Sequence, residues 1–464
     1  MKKRLLSLCL ISTVAIPTAS CVAGCSIVDR FITRARQADG SDWIGRTSGL
    51  FVYEDDYEVD EVKKEVTYWN MSELVSTNLV VPNYVMWKGE EYKVILDIDA
   101  FDGCSDTLFG IVELNDFFVD IPSYCFTGCE NITKVILHNY PTNIGNGAFQ
   151  YCNSLETIVV RKKDQSFDTF WAMKVEEIGK NAFDYCGISG KILFGSQLKT
   201  INYQAFAHCM NLTDVDLSMT SLKGGHDFEQ PDPIDDGAFI GSGIQHVILP
   251  HWGEGNVLAI GDNAFYDCYN LKTISLVEPD GEEMQLYTGA LASCPKFIGF
   301  TDSYLQPIKE NSGFVLTHVG ESCFANDKSL QQAYYLSHMR TENLQLQEYT
   351  FKGCGFTSWT FTTGQYGDLY SYAFSFNDNL KILNFSAFAP YDPVPSGWDA
   401  PWGMDRTVDL FAYGSKYGVI KVKTGFTTGT QINNWVDWFQ RQGLTIDRNN
   451  LTKPTLEGWY FKEG

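Results

Sequence analysis

Ile144-Gly145-Asn146-Gly147-Ala148-Phe149-Gln150-Tyr151-Cys152-Asn153-Ser154-Leu155, followed by Ile158, is the stretch whose reading decides the fold. The same phrase returns at Ile178-Gly179 with Ala182-Phe183 and Cys186, and at Ile260-Gly261 with Ala264-Phe265, Cys268, Leu271 and Ile274. With the phenylalanine as anchor, the position reads Phe101, Phe126, Phe149, Phe183, Phe206, Phe239, Phe265, Leu291, Phe324, Phe351 and Phe374. Neighbouring anchors stand 23 to 34 residues apart, so the basic unit is 23 residues and longer units carry insertions. A recurring period of this size means stacked units.

Each unit has a physical reading. Lys134-Val135-Ile136-Leu137 and Lys272-Thr273-Ile274-Ser275-Leu276 are short and β-branched, which predicts strands. Alternation sends Val135 and Leu137 to one face and Lys134 and Ile136 to the other. The Ala-Phe pair falls on the return path, where the ring fills the interior and the small Ala lets the backbone approach. A unit this short cannot bury its own apolar side; stacking makes the strands parallel and the core continuous. Burial of one Phe contributes about 1.5–3 kcal/mol. An outward residue such as Thr273 is expected to tolerate replacement at almost no cost.

Three residues after the anchor stand Cys104, Cys129, Cys152, Cys186, Cys209, Cys268, Cys294 and Cys354, with Ser242, Asp327 and Asn377 in the other units. A slot that accepts Cys, Ser, Asp or Asn wants a small group that hydrogen-bonds a nearby turn. The expectation is a ladder of free, buried thiols rather than the disulfide framework that secretion alone would suggest. No Cys-x₂-Cys pair occurs, so no metal site is expected from these residues. Cys125 and Cys323 take the place of the small Ala before the anchor.

The array resembles the BspA-type leucine-rich repeats of bacterial and some protist surface proteins, over about residues 79 to 385. The resemblance includes an entry segment, Val80-Val81-Pro82 through Lys88-Gly89-Glu90-Glu91-Tyr92-Lys93-Val94, and a closing one, Val419-Ile420-Lys421-Val422 with Asn434-Trp435 and Trp438-Phe439. It implies an α/β-type, parallel-stranded solenoid of about eleven units over residues 96–385. An N-terminal β cap over 49–95 and a C-terminal cap over 386–464 would close the ends, since a terminal coil otherwise exposes its core. It also implies a non-enzymatic surface protein that binds a protein or glycan on host cells, matrix or neighbouring cells.

The N-terminus begins with Lys2, Lys3 and Arg4, continues with an apolar stretch from Leu5 to Ile16, and reaches Val22-Ala23-Gly24-Cys25. That is the layout of a secretory signal over residues 1–24, and its apolar run falls short of the about 20 residues a spanning helix needs. Val-Ala-Gly-Cys also looks like the lipobox of bacterial lipoproteins. The likeness implies cleavage before Cys25, lipidation of its sulfur (with Cys21 as the alternative), and a tether over 25–48. Two acyl chains would anchor the chain to the extracellular face of a cell membrane, each buried CH₂ adding about 0.8 kcal/mol.

A net charge of −22 excludes a nucleic-acid partner, which needs clustered Lys and Arg. With 14% aromatic residues the chain has ample surface to bury, so disorder is excluded too. There is no His-Glu-x-x-His, no Gly-x-Ser-x-Gly, no phosphate-binding Gly loop and no calcium-loop spacing, and no cofactor is expected. The acidic segment Gly224 to Asp236 is either a plain exposed loop, the favoured reading, or a hard-cation site. Lone histidines such as His208 and His246 read as structural or solvated.

A binding reading fits better. The outward strand residues would be Lys134, Ile136, Thr157, Val159, Asp214, Asp216, His246, Ile248, Thr273, Ser275 and Tyr334. Insertions between strand and return path add aromatic residues: Phe167, Phe170 and Trp171, then His251-Trp252, then Trp398 and Trp402. These either anchor a partner or pack over the solenoid edge as lids. The functional readings are therefore a surface-displayed binding protein, a structural envelope lipoprotein that meets other membrane proteins, and, with least support, a glycosidase-like enzyme using paired carboxylates.

Overall fold

The computed structural model describes residues 57–69, 76–87, 90–226, 231–279, 281–308, 314–330, 344–361, 366–386, 409–422, 431–454 and 458–463. The signal segment 1–24 with Cys21, the Cys25 site, the tether 25–48, Tyr334, Trp398 and Trp402 lie outside them.

The period builds a solenoid in which each unit adds one strand to a parallel wall. Ser76–Val80, Leu108–Glu113, Ile132–Leu137 and Thr157–Arg161 form its first part, and Gly190–Leu193, Leu212–Asp216, His246–Leu249, Thr273–Leu276 and Gly299–Asp302 the second. The register keeps like with like. Val112 faces Val135 and then Ile158, and Val215, Val247, Ile274 and Phe300 continue in line, all buried.

The Ile-Gly of the motif makes a second, narrower parallel row on the return path, with Asn143–Ile144, Glu177–Ile178 and Thr200–Ile201, then Val257–Ile260, Glu283–Leu286 and Val315–Val319. Glycine is required there because coils touch backbone to backbone: a Cβ on Gly145 would stand 2.2 Å from the Ser123 nitrogen. Apart from that row, the described return paths are turns and short 3-10 segments such as Cys104–Asp106, and the α-helix Gln431–Arg441 comes only after the last coil.

All eleven anchors are fully buried. Their rings stack along the axis, from 4.6 Å between Phe101 and Phe126 to 5.4 Å between Phe206 and Phe239. Where Leu291 replaces Phe, the lost volume returns six residues later: Phe297 stands where other units have Leu155, Leu271, Leu330 or Leu380. Its ring lies 6.4 Å from Phe324.

From the Phe126 coil onward, each coil also turns through two left-handed residues, two before and two after the anchor, as with Gly147 (φ 59°) and Tyr151 (φ 62°) around Phe149. The pattern reveals a coil beyond the expected end at 385. Asp409 (φ 61°) and Tyr413 (φ 57°) flank Phe411, whose ring lies 5.7 Å from that of Phe374. Tyr417–Val422 then pairs in parallel with Ile382–Asn384.

Six of the eight cysteine slots form the expected ladder. Cys152 donates to the Phe126 carbonyl at 3.0 Å, Cys209 to Phe183 at 3.0 Å, Cys268 to Phe239 at 3.1 Å and Cys294 to Phe265 at 3.1 Å. Every described cysteine is free and buried. Burial pushes the Cys104 and Cys186 thiols up to about 12.

The array ends on non-repeat structure. Before it, Tyr57–Asp60, Glu65–Tyr68, Glu90–Leu96 and Tyr84–Trp87 make a four-stranded sheet that buries Val66, Tyr68 and Val94. After it, Trp435 and Phe439 of the helix pack on Phe385 at 5.8 and 5.2 Å. The final strand, Gly458–Glu463, pairs with Tyr417–Val422. Its other edge is occupied too: Trp459 N donates to Thr445 O and Phe461 N to Leu451 O, both at 2.7 Å. A closed edge offers no template for a further strand. No described helix is long and apolar enough to cross a membrane.

Candidate binding face

Strand alternation brings ten of the eleven outward residues expected from sequence onto one face of the parallel wall; Tyr334 lies outside the described residues. In the first part of the wall Ile111, Lys134 and Thr157 stand in one column and Glu113, Ile136 and Val159 in the next. In the second part the columns are Lys191, Asp214, His246, Thr273 and Gly299, then Leu193, Asp216, Ile248, Ser275 and Thr301.

Accessibility departs from the alternation. Lys134, Thr157, Asp214, His246 and Ile248 are half-buried, whereas Ile136, Val159, Asp216, Thr273 and Ser275 are buried. The reasons are local. Arg161 reaches across the strand that carries Ile136 and grips Glu113 through Nε and Nη2, both at 2.7 Å. The Phe167 ring closes over the same spot, 4.3 Å from Lys134 Nζ and 4.8 Å from Arg161. Thr273 shares a hydrogen bond of 2.9 Å with His246 Nδ1, and Ser275 one of 2.8 Å with Thr301. Short side chains tied to their neighbours sit below the rim, so Thr273 is not the free outward position the alternation predicts.

Asp216 pairs with Lys191 at 2.7 Å and accepts from Ser218 N. Burial works to raise its carboxyl, but the bonds from Lys191 and Ser218 hold it below the ordinary value. Glu113 follows the same logic: burial raises it, and the bonds from Arg161 and His138 outweigh that. This Glu113–Arg161–His138 network, with Asp116 accepting from His138 at 2.5 Å, left no trace in the sequence, because its members lie on different coils.

The insertions leave the wall at the ends of its strands. Phe167–Asp168 runs antiparallel to Val160–Arg161 and ends the first sheet of the wall; the second begins at Gly190–Leu193, and the 3-10 turn Trp171–Lys174 touches both Thr157–Arg161 and Gly190–Leu193. Phe167 and Phe170 on this hairpin are 45% and 44% exposed. Of the two alternatives for the insertion aromatics, Trp171 of this insertion and Trp252 of the next take that of lids. Trp171 is buried with its ring 5.6 Å from Phe183. Trp252 is buried with Nε1 donating to Glu283 O at 2.8 Å. Next to it the buried Glu282 carboxylate accepts from Gly253 N at 3.1 Å and lies 2.6 Å from His251 Nδ1. Burial raises the Glu282 pKa against those bonds.

The described carboxylates of the acidic loop meet backbone amides and one histidine. Asp235 accepts from Tyr203 N, Asp236 from Asp262 N, and Asp232 lies 3.1 Å from His226 Nδ1. Among the described residues no group of three or more His, Cys, Asp or Glu is placed to hold a metal ion; residues 227–230 lie outside that description.

A further surface feature was missed. Rings at left-handed positions on the return path stack from coil to coil: the exposed Tyr151 on the exposed Tyr185 at 5.8 Å, and Tyr185 on the half-buried His208 at 4.2 Å. The sequence signal was available, since each of these residues stands two after an anchor.

The model of the BspA type leucine rich repeat region matches residues 93–171, 168–228, 230–333 and 299–389, in six copies. The chain belongs to that family. No curated protein matches this BspA-type chain in sequence. Among solved structures it is similar to a leucine rich cell surface protein from Faecalibacterium prausnitzii A2-165, at 17% identity over 84% of this chain and 98% of that one, with a TM-score of 0.36. A leucine-rich repeat protein from Bacteroides ovatus is 16% identical over 72% of this chain and 94% of its own, with a TM-score of 0.30. The pneumococcal vaccine antigen PcpA is 13% identical over 90% of this chain and all of its own, with a TM-score of 0.36.

Proposed function

We propose that this BspA-type protein is displayed on the outside of a bacterial cell, where its parallel wall and the flanking insertions bind a protein or glycan on host or neighbouring cells. The observation that carries the reading is the separation of duties within each strand. Inward residues build one continuous core, while Lys134 and Thr157 in the first part of the wall, and Asp214, His246 and Ile248 in the second, keep part of their surface on the other face, away from that core. Lipidation of Cys25 after the Val22-Ala23-Gly24 sequence would hold the chain to the membrane through two acyl chains. No catalytic step is part of this reading.

The test is binding of the chain from residue 26 onward to intact host-type cells and to a panel of matrix and plasma proteins, with the urea-unfolded chain as the control. Saturable binding that the control lacks supports the reading. Binding to neither cells nor panel refutes adhesion and leaves the second reading, a structural lipoprotein that meets other proteins of its own envelope.

A further inference from the structure

Resting on the reading of the wall as a binding face, we infer that the break in the wall at the Phe167 hairpin docks an acidic polypeptide segment, its carboxylates meeting Lys134 and Lys163 and an apolar side chain seated on Phe167 and Phe170.

The hairpin is built to hold its rings out. Lys162 N donates to Ser166 O at 2.8 Å, and Asp164 accepts from both the Ser166 nitrogen and hydroxyl. Asp168 accepts from Tyr140 Oη at 2.6 Å and from Phe170 N at 3.0 Å, and pairs with Lys162 at 3.1 Å. The segment therefore has one shape before any partner arrives, and little ordering remains to be done on binding. The insertion's other large aromatic, Trp171, goes into the core. Phe167 and Phe170 do not, although burial would stabilise each by about 1.5–3 kcal/mol. They are exposed anchors without a role in the core.

Charge selects the partner. Arg161 and Lys162 are committed to Glu113 and Asp168. Lys134, beside the Phe167 ring, and Lys163, on the hairpin, form no ion pair among the described residues. The chain as a whole carries a net charge of −22, so two cations without an ion pair, one over the Phe167 ring and one on the turn of the same hairpin, mark a place where an anionic partner gains on arrival. A polypeptide supplies both required groups, carboxylates and apolar side chains. A sulfated glycan supplies only the charge.

The experiment measures binding of the whole processed chain to four probes: a synthetic peptide rich in Glu and Leu, its Lys/Leu counterpart, heparin fragments, and vesicles containing phosphatidylglycerol. The expected result is saturable binding of the Glu/Leu peptide that weakens as salt is raised. Phe167→Ala with Phe170→Ala, and separately Lys134→Glu with Lys163→Glu, should each weaken it at least about tenfold. Phe167, Phe170 and Lys163 are exposed and Lys134 is half-buried, and protection of the buried thiols reports that each variant is folded. No binding of the acidic peptide, equal binding by both variants, or preference for heparin or vesicles would each overturn the inference. Cell binding that survives in both variants overturns it while leaving the proposed function standing. Peptide binding without cell binding does the reverse.

Discussion

Asp327→Asn should stabilise this protein, and by more as the pH rises. Asp327 occupies the ladder slot of its coil and is fully buried. One carboxyl oxygen accepts from Cys294 N at 2.8 Å, and the other has no hydrogen-bond partner. Burial drives its pKa well above the ordinary carboxylate value. The neighbouring solution is visible two coils on, where Asn377 donates through Nδ2 to the Phe351 and Phe374 carbonyls, each at 2.8 Å. An amide at 327 would keep the acceptor for Cys294 and offer its NH₂ to the equivalent carbonyls of Leu291 and Phe324. Satisfying a buried orphan contributes about 1–3 kcal/mol.

Protonation adds a pH-dependent part. A carboxyl whose folded pKa is raised contributes its stability below the unfolded value and loses it as pH climbs toward the folded one. The advantage of Asn over Asp should therefore be smallest near pH 4 and grow by at most about 1.4 kcal/mol per pH unit above it. Urea unfolding of both proteins between pH 4.5 and 8 reads the gap directly, since the other carboxylates are common to both. A gap that is absent, or that narrows with rising pH, would refute the argument that Asp327 is held neutral and half-satisfied.

Other outcomes follow from the same structure. Phe183→Ala removes a ring stacked between Phe149 at 5.2 Å and Phe206 at 4.9 Å, and should cost about 3–5 kcal/mol in the same assay. Thr273→Ala should cost about 0.5–1.5 kcal/mol for the lost bond to His246; a cost of zero would mean that Thr273 is solvated. Gly145→Ala puts a Cβ 2.2 Å from the Ser123 nitrogen and should prevent that coil from closing. Gly128→Ala meets open space and should cost only the roughly 1–2 kcal/mol of a left-handed residue, as circular dichroism melts of the two would tell. Native protein should leave its buried cysteines unmodified by a thiol reagent until denaturant is added; fast labelling of the native state would contradict the ladder.

The sequence by itself determined the repeat, its anchors and the role of the cysteine slot. Each coil meets the same environment as the next, so a residue such as Phe149 or Cys152 is specified by a pattern written eleven times. Tertiary structure decided what the face looks like. Ile136 and Thr273 follow the outward alternation and are nevertheless buried, because Arg161 crosses to Glu113 and His246 ties down Thr273, contacts between coils that no local period encodes. Phe170 and Trp171 are neighbours in sequence, yet one is exposed and the other seals the core beside Phe183, a choice made by the 3-10 turn that begins at Trp171 and by the ring it packs against. The coil at Phe411 escaped notice because 37 residues separate it from Phe374, while its paired left-handed residues place it in the stack. Repetition fixes what every coil shares; the insertions, which occur once each, acquire their meaning only from the coils on which they fold.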